Sequence, residues 1–390
     1  MSIDPATDDR SLAKAFTMIP PVTKAEMVAI AGDDGRGWFD APAETYVRMH
    51  QTSGTTGRPL VVRDTADDWA WWLDCWDHVL DAAAVTSADI AMMAFSFGPF
   101  IGFWTASDAM VRRGVMTVPG GGLSTRTRVA MTAEQRCTVV CCTPTYAMRM
   151  IAVAAEGDVD LAGSDVRVVI VAGEPGGSVP EVRDAIAAGF GAAVIDHAGG
   201  SEVGAWGYGR RDGAGLHVIE TEFIAEILSF DSSPTGAPVQ TGDTGELVLT
   251  GLGRCGGPAI RYRTGDVVRR GRPRDDDPFL FLPGGVLGRA DDMVVIRGVN
   301  VFPSAVESIV RRSHPIEEYR VTVTRENEMD RLSVEIETDP DRAGELSRTL
   351  SDALALSIPV RSVAPETLPR FEAKARRWVD RRFDAMVEDG

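Results

Sequence analysis

Short β-branched runs alternate with helical stretches through the middle of this 390-residue chain, and the alternation limits its fold more than any other feature. The runs cover residues 138–142, 166–171 and 193–196, and helices are predicted between them over 144–156 and 179–188. Short apolar strands separated by helices are typical of a parallel sheet that is buried on both faces. The sequence therefore predicts an α/β fold in which β-sheets are flanked by helices.

A helix with one strongly apolar face is predicted directly before this region. Thr65 and Asp68 have the spacing of an N-terminal capping box. The apolar residues that follow recur at helical spacing and include three tryptophans: Trp69, Trp72, Leu73, Trp76, Val79 and Leu80. A stripe of this kind faces a protein core far more often than it stacks on a ligand. We therefore expect it to pack against the sheet.

The last third of the chain changes character. Residues 217–228 and 245–250 have the pattern of antiparallel strands. A compact α+β pattern follows, with helices predicted over 304–312 and 341–357 and strands over 320–324 and 332–337. We expect two domains, a large one over residues 1–287 and a small one over residues 288–390.

Charge and cysteine content argue against several classes of protein. The 40 basic and 57 acidic residues give a net charge of −17, which disfavours nucleic acid or an anionic membrane surface as a partner. No apolar run is long enough to span a bilayer, and the polar, acidic first ten residues lack the pattern of a signal peptide. The five cysteines form no C-x-x-C pair, and Cys141 and Cys142 lie inside a predicted strand, so we expect reduced thiols. These features predict a soluble cytoplasmic protein.

A glycine- and hydroxyl-rich stretch from Gln51 to Pro59 precedes the tryptophan helix. Glycines let the backbone approach an anion closely, and amide and hydroxyl groups can then donate to phosphate oxygens. It is not a Walker loop, because no Gly-Lys-Ser/Thr follows after four spacers. Taken alone, the stretch is equally consistent with a polar hairpin turn. Its central residues are Ser53, Gly54, Thr55, Thr56, Gly57 and Arg58.

Polar segments also follow several predicted strands. Gly173-Glu174-Pro175 comes after one β run, and residues 196–204, with the sequence DHAGGSEVG, begin at the end of the next. In an open α/β sheet, ligands bind beyond the carboxyl ends of the strands. Two further segments are Arg-Tyr-Arg-Thr-Gly-Asp at 261–266 and Gly-Arg-Ala-Asp-Asp-Met at 288–293. Each of these segments alone is also a common turn.

Together and in this order, the segments resemble the motifs of the acyl-adenylate-forming (AMP-binding) enzyme superfamily, and most closely its phenylacetate-CoA ligase branch. The likeness extends to framework segments at residues 95–100, 142–146 and 299–303, so it covers nearly the whole chain. It implies a large N-terminal adenylating domain followed by a small mobile α+β domain that carries the catalytic lysine.

The resemblance implies a role for each matching position. Residues 53–57 would hold the β- and γ-phosphates of ATP, Glu202 would ligate Mg²⁺, and Lys374 would be the catalytic lysine. Asp266 would accept hydrogen bonds from the ribose, and Asp291 would be the hinge of the small domain. The other implied nucleotide contacts are Gly173, Glu174, Pro175, Asp196, Ser201 and Arg289.

The implied reaction converts a carboxylic acid to acyl-AMP with ATP and then transfers the acyl group to coenzyme A. A second hypothesis keeps the adenylation but passes the acyl group to a carrier protein, or to an amine or hydroxyl of another small molecule. A third is a nucleotide-binding protein of the same fold that has lost catalysis, and the presence of Glu202, Asp266 and Lys374 argues against it. Family analogy is also compatible with a homodimer.

Departures from the family pattern bear on the acid. Ala198 stands where relatives usually carry an aromatic residue or histidine, and Gly200 also lacks bulk. His197 could donate a hydrogen bond to an ortho substituent or pack against the sheet, and we favour packing. The expected pocket residues are Phe97, Tyr146, His197, Ala198, Gly200 and Trp206. These aromatic walls favour an aromatic acid, such as phenylacetate or an amino- or hydroxybenzoate.

Overall fold

Strands and helices alternate along much of the chain. The computed structural model describes residues 16–32, 38–39, 41–52, 59–96, 98–99, 101–102, 104–230, 236–290, 294–296, 299–301, 303–313, 318–326, 329–354, 356–370 and 377–382. The helices are α1 (Lys24–Ala31), α2 (Ala66–Ala82), α3 (Trp104–Arg112), α4 (Thr125–Glu134), α5 (Pro144–Glu156), α6 (Pro180–Phe190), α7 (Pro303–Ser313) and α8 (Pro340–Leu354). The strands are β1 (Tyr46–Gln51), β2 (Val61–Thr65), β3 (Ile90–Met93), β4 (Met116–Pro119), β5 (Val139–Cys142), β6 (Val168–Ala172), β7 (Ala193–Gly200), β8 (Gly204–Gly209), β9 (Gly215–Val218), β10 (Phe223–Leu228), β11 (Thr244–Gly251), β12 (Tyr262–Arg269), β13 (Phe281–Pro283), β14 (Val286–Arg289), β15 (Val294–Ile296), β16 (Val299–Val301), β17 (Tyr319–Glu326), β18 (Met329–Glu337), β19 (Val360–Val363) and β20 (Trp378–Asp380).

The largest sheet in the described part of the chain has eight strands, in the order β13-β9-β8-β7-β6-β5-β3-β4. The strands from β4 to β7 are parallel, and those from β7 to β13 are antiparallel. Strands β5 and β6 are buried at every residue, as expected where helices cover both faces. The α/β fold predicted from the alternating pattern is therefore confirmed.

Local sequence sets the bounds of the helices. The side chain of Thr143 accepts a hydrogen bond from the backbone of Tyr146, Pro144 occupies the first turn of α5, and Gly157 follows its last residue. Thr65 and Asp68 form the predicted capping box at the start of α2. Among the described residues, no helix combines the length and the apolar character needed to cross a membrane.

Alternate residues of the large sheet contribute to two apolar clusters, one on each face. Helix α2 covers one face, where Trp76 is 1% exposed and packs in the same cluster as Trp206. Helices α5 and α6 cover the other face, and Tyr146 belongs to that cluster. The tryptophan stripe is core, and Cys141 and Cys142 are buried as well.

A second antiparallel sheet, in the order β10-β11-β12-β14, lies beside the first, and β1 and β2 form a separate hairpin. The region predicted as strand over 217–228 is two strands in different sheets. The chain turns between them, where the backbone amide of Glu222 donates to the carbonyl of Ile219 (2.9 Å). The turn lets β9 join the large sheet while β10 begins the second.

Beyond β14 the chain forms its own small α+β unit. Strands β19-β18-β17-β20 make one sheet, β15 and β16 form a hairpin, and helices α7 and α8 share an apolar core with them. Helix α8 ends at Leu354, earlier than the predicted residue 357. The predicted fold class, with a C-terminal α+β unit, is confirmed, and the division into residues 1–287 and 288–390 stays a prediction.

Candidate active site

The loop after β6 lies at the carboxyl end of the parallel strands. Gly173 has a φ of +93°, a left-handed conformation that favours glycine. The carboxylate of Glu174 accepts a hydrogen bond from the backbone amide of Thr145 (2.7 Å), which ties the loop to the start of α5. Gly173 and Pro175 stay exposed, so the loop presents an open surface at this edge of the sheet.

Asp196 in β7 faces the same loop. The hydroxyl of Ser178 donates to its Oδ2 at 2.5 Å, and burial raises the pKa of Asp196 to about 6 against the opposing effect of that hydrogen bond. A Cβ at Gly177 would lie 2.5 Å from the carboxyl group, and one at Gly285 would lie 2.7 Å from the Ser178 hydroxyl. Two glycines therefore allow the backbone to close around the Ser178–Asp196 pair.

Asp266 and Arg289 form a second polar pair on adjacent strands, β12 and β14. Arg289 Nη1 donates to Asp266 Oδ1 (3.1 Å) and to the carbonyl of Thr264 (2.6 Å). Gly265 has a φ of +76°, and a Cβ there would lie 2.5 Å from Arg289 Nη2. Gly285 lies against Ser178 and leads directly into β14, which ends at Arg289. This short strand therefore connects the Ser178–Asp196 pair to the Asp266–Arg289 pair.

Glu202 follows Ser201 in the tight connection between β7 and β8. It is 8% exposed, and its Oε1 lies 3.0 Å from Lys24 Nζ. A buried carboxylate requires a compensating positive charge, and Lys24 supplies one. The carboxylate of Glu202 is therefore neutralised by the Lys24 ammonium in this structure.

Lys24 is a site residue that sequence reasoning missed. It is the first residue of α1, behind the N-cap Thr23, whose capping box with Glu26 fixes the start of the helix. The preceding residue, Val22, forms a parallel bridge with Tyr262 of β12. That bridge joins residues that are 240 positions apart in the sequence, so no local pattern predicts it. The Thr-x-x-Glu capping signal at Thr23 does mark where the helix begins.

The predicted acid-pocket residues do not all lie together. Tyr146 is 3% exposed, donates its hydroxyl to Thr125 (3.1 Å) and belongs to the cluster under α5, whereas Trp206 is 1% exposed in the cluster under α2. Tyr146 and Trp206 therefore pack on opposite faces of the sheet, because Tyr146 lies on α5, which covers one face, and Trp206 lies on β8 with its side chain in the cluster on the other face. His197 packs its ring on Trp76, with centroids 4.3 Å apart, and shares a 2.8 Å hydrogen bond between Nδ1 and the carbonyl of Gly207.

The neighbours of His197 leave room at the strand end. Ala198 is half-buried and Gly199 is exposed. A Cβ at Gly200 would lie 3.4 Å from Glu202 Oε2, so glycine keeps the space beside that carboxylate open. The described residues thus bring His197, Ala198, Gly200 and Glu202 to one edge. Phe97, the phosphate stretch Ser53, Gly54, Thr55, Thr56, Gly57 and Arg58, the hinge Asp291 and Lys374 lie outside the described residues.

Burial of His197 makes the stability of the protein depend on pH. Burial lowers its pKa to about 4, while its bond to the Gly207 carbonyl acts in the opposite direction. The unfolded chain binds a proton below about pH 6.5 and the native state does not, so stability falls as pH drops from 6.5 towards 4 and is unaffected above 6.5. For a shift of this size the total loss is roughly 3 kcal/mol.

Replacement of His197 by Asn is expected to remove this contribution, because the Asn amide can still donate to Gly207 but does not titrate. The urea midpoint from tryptophan fluorescence, measured at pH 7 and pH 5, should fall further for the wild type than for His197→Asn. The other buried histidines are common to both proteins and cancel. Equal losses in the two proteins would show that His197 is not the titrating group.

Comparisons with known proteins agree on one group. Residues 298–382 match the model of the AMP-binding enzyme C-terminal domain. The chain is 30% identical to the phenylacetate-coenzyme A ligase of Pseudomonas putida over 368 residues, which is 89% of this chain and 81% of that protein. It is 31% identical to the enzyme of the same name from Escherichia coli K12, over 88% of this chain and 81% of that protein.

Solved structures give the same result. A structure of 2-hydroxyisobutyryl-CoA ligase in the postadenylation state, in complex with R3-HIB-AMP, has a TM-score of 0.85 at 26% identity and covers 94% of this chain and 81% of that one. The ligase with 2-HIB-AMP and CoA in the thioesterification state has a TM-score of 0.67 at 27% identity, over 96% and 83% of the two chains. The chain is thus more similar overall to the postadenylation structure.

Proposed function

The chain belongs to the phenylacetate-coenzyme A ligase family, and we propose that it activates a carboxylic acid with ATP and transfers the acyl group to coenzyme A. The observation that carries this proposal is the identity of about 30% to two such ligases across four-fifths of their length. In the first step, a carboxylate oxygen attacks the α-phosphorus and the bond to the bridging oxygen breaks, releasing pyrophosphate. In the second, the thiolate of CoA attacks the acyl carbon and AMP leaves.

The described residues would bind the nucleotide as follows. The loop at Gly173-Glu174-Pro175 would line the adenine slot, with the carboxyl group of Asp196 as an acceptor for the adenine amino group. Asp266, already oriented by Arg289, would accept hydrogen bonds from the ribose hydroxyls. Residues 53–57 and Ser201 would contact the phosphates of ATP. The described groups lie on two sheets: the Gly173 loop, Asp196 and Ser201 follow or end β6 and β7 of the large sheet, and Asp266 and Arg289 lie on β12 and β14 of the second sheet.

The residues present fit a magnesium ion. Glu202 offers a hard carboxylate oxygen, the ligand type that Mg²⁺ prefers together with phosphate oxygens. Its contact with the Lys24 ammonium at 3.0 Å places positive charge beside this carboxylate. When bound, Mg²⁺ would neutralise charge on the departing pyrophosphate. Lys24 would keep Glu202 extended toward the phosphate side before the nucleotide arrives.

For the acid, we propose an aromatic compound of the phenylacetate or substituted benzoate type. Two considerations support it: the substrate named for the curated relatives, and the lack of bulky side chains at Ala198 and Gly200, which precede Glu202 in the sequence. The half-buried rings of Phe95 and Trp104 flank the segment whose Pro99 carbonyl accepts a hydrogen bond from Gln51 at the end of β1 (2.8 Å). This segment therefore lies against the end of β1. The competing substrate is a small 2-hydroxy acid, named for the structural relatives.

ATP–pyrophosphate exchange over a panel of acids tests this proposal. The panel contains phenylacetate, benzoate, its 2-amino and 2-hydroxy derivatives, 2-hydroxyisobutyrate and octanoate. We expect acid-dependent exchange, with the highest kcat/KM for an aromatic acid. A preference for 2-hydroxyisobutyrate or octanoate would contradict the aromatic assignment, and no exchange with any acid would contradict adenylation itself.

A carrier protein, or an amine or hydroxyl acceptor, remains the alternative to CoA. The curated relatives are named as CoA ligases, which favours the thiol. The rate of AMP release, measured with one acid and each acceptor in turn, distinguishes these three alternatives, because only the true acceptor accelerates it.

We further propose that the unit beyond residue 288 turns about Asp291 between the two steps. The higher similarity to the postadenylation structure, with a TM-score of 0.85 against 0.67, supports an arrangement of this kind in the present structure. One contact specific to the arrangement joins α6 to α7. Glu181 accepts hydrogen bonds from the Ser308 hydroxyl (2.9 Å) and from Arg312 Nε (2.8 Å).

Replacement of Glu181 by Gln is expected to weaken this arrangement modestly, because Arg312 is well exposed and such ion pairs contribute only about 0.2–1 kcal/mol. The rate of acyl-AMP formation should fall by roughly two- to fivefold, whereas thioester formation from supplied acyl-AMP should not fall. Asp184→Asn is the matched control, since Asp184 on the same helix pairs with the adjacent Arg183. An equal effect of both substitutions on both steps would exclude a role for Glu181 in domain arrangement.

A further inference from the structure

Arg254 is a deeply buried arginine beside the candidate active site, in the connection between β11 and β12. It is 2% exposed. Its Nη1 donates to the carbonyl of Ser201 (2.8 Å) and to that of Glu202 (3.2 Å). One guanidinium nitrogen therefore bridges the two successive backbone carbonyls of the segment that carries the Glu202 carboxylate.

The same guanidinium contacts Asp64 on its other side. Arg254 Nε lies 2.8 Å from Asp64 Oδ1, and Asp64 is fully buried. The indole Nε1 of Trp72 donates to the same oxygen (3.2 Å), and the guanidinium lies over the Trp72 ring, 5.7 Å from its centroid. Arg254 thus has three groups around it and a fixed orientation.

Asp64 connects this cluster to the phosphate stretch. It lies in β2, and β2 pairs with β1 so that the hairpin flanks residues 53–58. The hairpin is closed at its end by Thr52, whose amide donates to the Leu60 carbonyl (3.0 Å) and whose hydroxyl accepts from the Leu60 amide (3.0 Å). A displacement of Asp64 would therefore shift the strand that leaves the phosphate stretch.

Stability alone is a poor explanation for this buried pair. Desolvating a guanidinium and a carboxylate costs several kcal/mol per ion, and an apolar replacement of similar volume is often equally stable or more stable. In addition, Arg254 Nε and Nη2 and Asp64 Oδ2 make no hydrogen bond among the described residues, although Nε lies within ion-pair distance of Asp64 Oδ1. A pair with three such buried atoms is better suited to fixing geometry than to maximising stability.

We propose that Arg254 is a positioning residue that holds the Ser201–Glu202 backbone in register with the β1–β2 hairpin, so that the Glu202 carboxylate is oriented for the Mg²⁺ and phosphates of ATP. The inference rests on the proposed function, because it assumes that Glu202 meets Mg²⁺ and the phosphates of ATP. Arg254 itself would contact neither the Mg²⁺ nor the phosphates. Its effect reaches the nucleotide through the backbone of Glu202.

Calorimetric binding of ATP to the full chain, with Mg²⁺ and with EDTA, tests this role without relying on turnover. Arg254→Lys keeps the positive charge near Asp64, but a single ammonium cannot face Asp64 and bridge both carbonyls. We expect Arg254→Lys to weaken ATP binding in Mg²⁺ by about 10- to 100-fold, as found for residues that orient metal ligands, and by less than about threefold in EDTA. Asp64→Asn should weaken binding in the same direction, by a smaller factor.

Arg167→Lys is the matched control. Arg167 also pairs with a buried aspartate, with Nη2 at 2.6 Å from Asp89 Oδ2, but at the opposite end of the parallel strands. We expect it to lower Tm without changing the ratio of ATP affinities in Mg²⁺ and EDTA.

The outcomes separate the two claims. If Arg254→Lys lowers Tm but keeps the wild-type ratio of ATP affinities in Mg²⁺ and EDTA, the positioning role is overturned and the proposed function stays intact. If Arg254→Lys does not fold, Asp64→Asn decides. A wild-type ratio of ATP affinities in Mg²⁺ and EDTA overturns the positioning role of Arg254, and a reduced ratio supports it. A wild-type chain that binds no ATP in either condition would overturn the proposed function, and the role of Arg254 with it.

Discussion

Replacement of Glu202 by Gln is expected to lower the rate of ATP–pyrophosphate exchange by roughly 10²- to 10³-fold, the range seen when one preorganised charge-stabilising group is removed. Glutamine keeps the size of the side chain but loses the negative charge, so it cannot balance a divalent cation. The loss should appear mainly in kcat, because the Mg²⁺ that Glu202 would hold neutralises charge that develops as pyrophosphate departs. Exchange rates measured across a Mg²⁺ series check this expectation.

Glu335→Gln is the control for this substitution. Glu335 is, like Glu202, a glutamate paired with a basic side chain, with Arg320 Nη2 at 2.5 Å, but it is half-buried and lies in the small unit on β18. Its loss should leave exchange within about twofold of the wild type, as is usual for substitutions away from a site. Equal effects of Glu202→Gln and Glu335→Gln would exclude the metal-binding role of Glu202.

The Lys24 contact refines the same prediction. Lys24→Met should reduce exchange less than Glu202→Gln, since the nucleotide complex brings its own cation. Because the two side chains touch, the double variant should show less than the sum of the two free-energy losses. Strict additivity would indicate that Lys24 acts independently of Glu202.

Replacement of Lys374 by Ala is expected to separate the two half-reactions. Exchange should fall by about 10²- to 10³-fold, because the lysine would bridge the carboxylate and the α-phosphate in the transition state. Thioester formation from supplied acyl-AMP should stay within about twofold of the wild type, since the rotated small unit would have removed Lys374 from the reaction. Rapid-quench measurements of each step on the same preparation check this.

The composition of the chain provides the control for Lys374. The sequence has only three lysines, Lys14, Lys24 and Lys374, within a total of 40 basic residues. Two of these three are assigned to the reaction, one by geometry and one by resemblance. Lys14→Ala should leave both steps unchanged. A parallel loss of both steps in Lys374→Ala would contradict the alternation of the small unit.

Much of the fold followed from local sequence. Helix α5 was predicted over 144–156, where it occurs, because Thr143, Pro144 and Gly157 mark its two ends. The tryptophan face of α2 was predicted as core for an equally local reason, its helical spacing. Resemblance supplied the motif positions, and the described ones lie on two sheets that meet where Gly285 contacts Ser178.

Other features depend on contacts between distant segments and had no local signal. Lys24 reaches Glu202 only because Val22 bridges to Tyr262, and Arg254 reads in sequence as an ordinary loop residue. The shared pocket expected for Tyr146 and Trp206 was not found, because the two side chains pack on opposite faces of the sheet. The packing favoured for His197 is what the structure has, with its ring against Trp76.

The most direct test of the central claim is mass spectrometry of the complete reaction, run with ATP, Mg²⁺, the preferred acid and CoA. The account predicts an acyl-CoA thioester with AMP and pyrophosphate formed in equal amounts. Accumulation of acyl-AMP despite saturating CoA would contradict CoA as the acceptor, and the absence of both acyl products would contradict the proposed activation of a carboxylic acid.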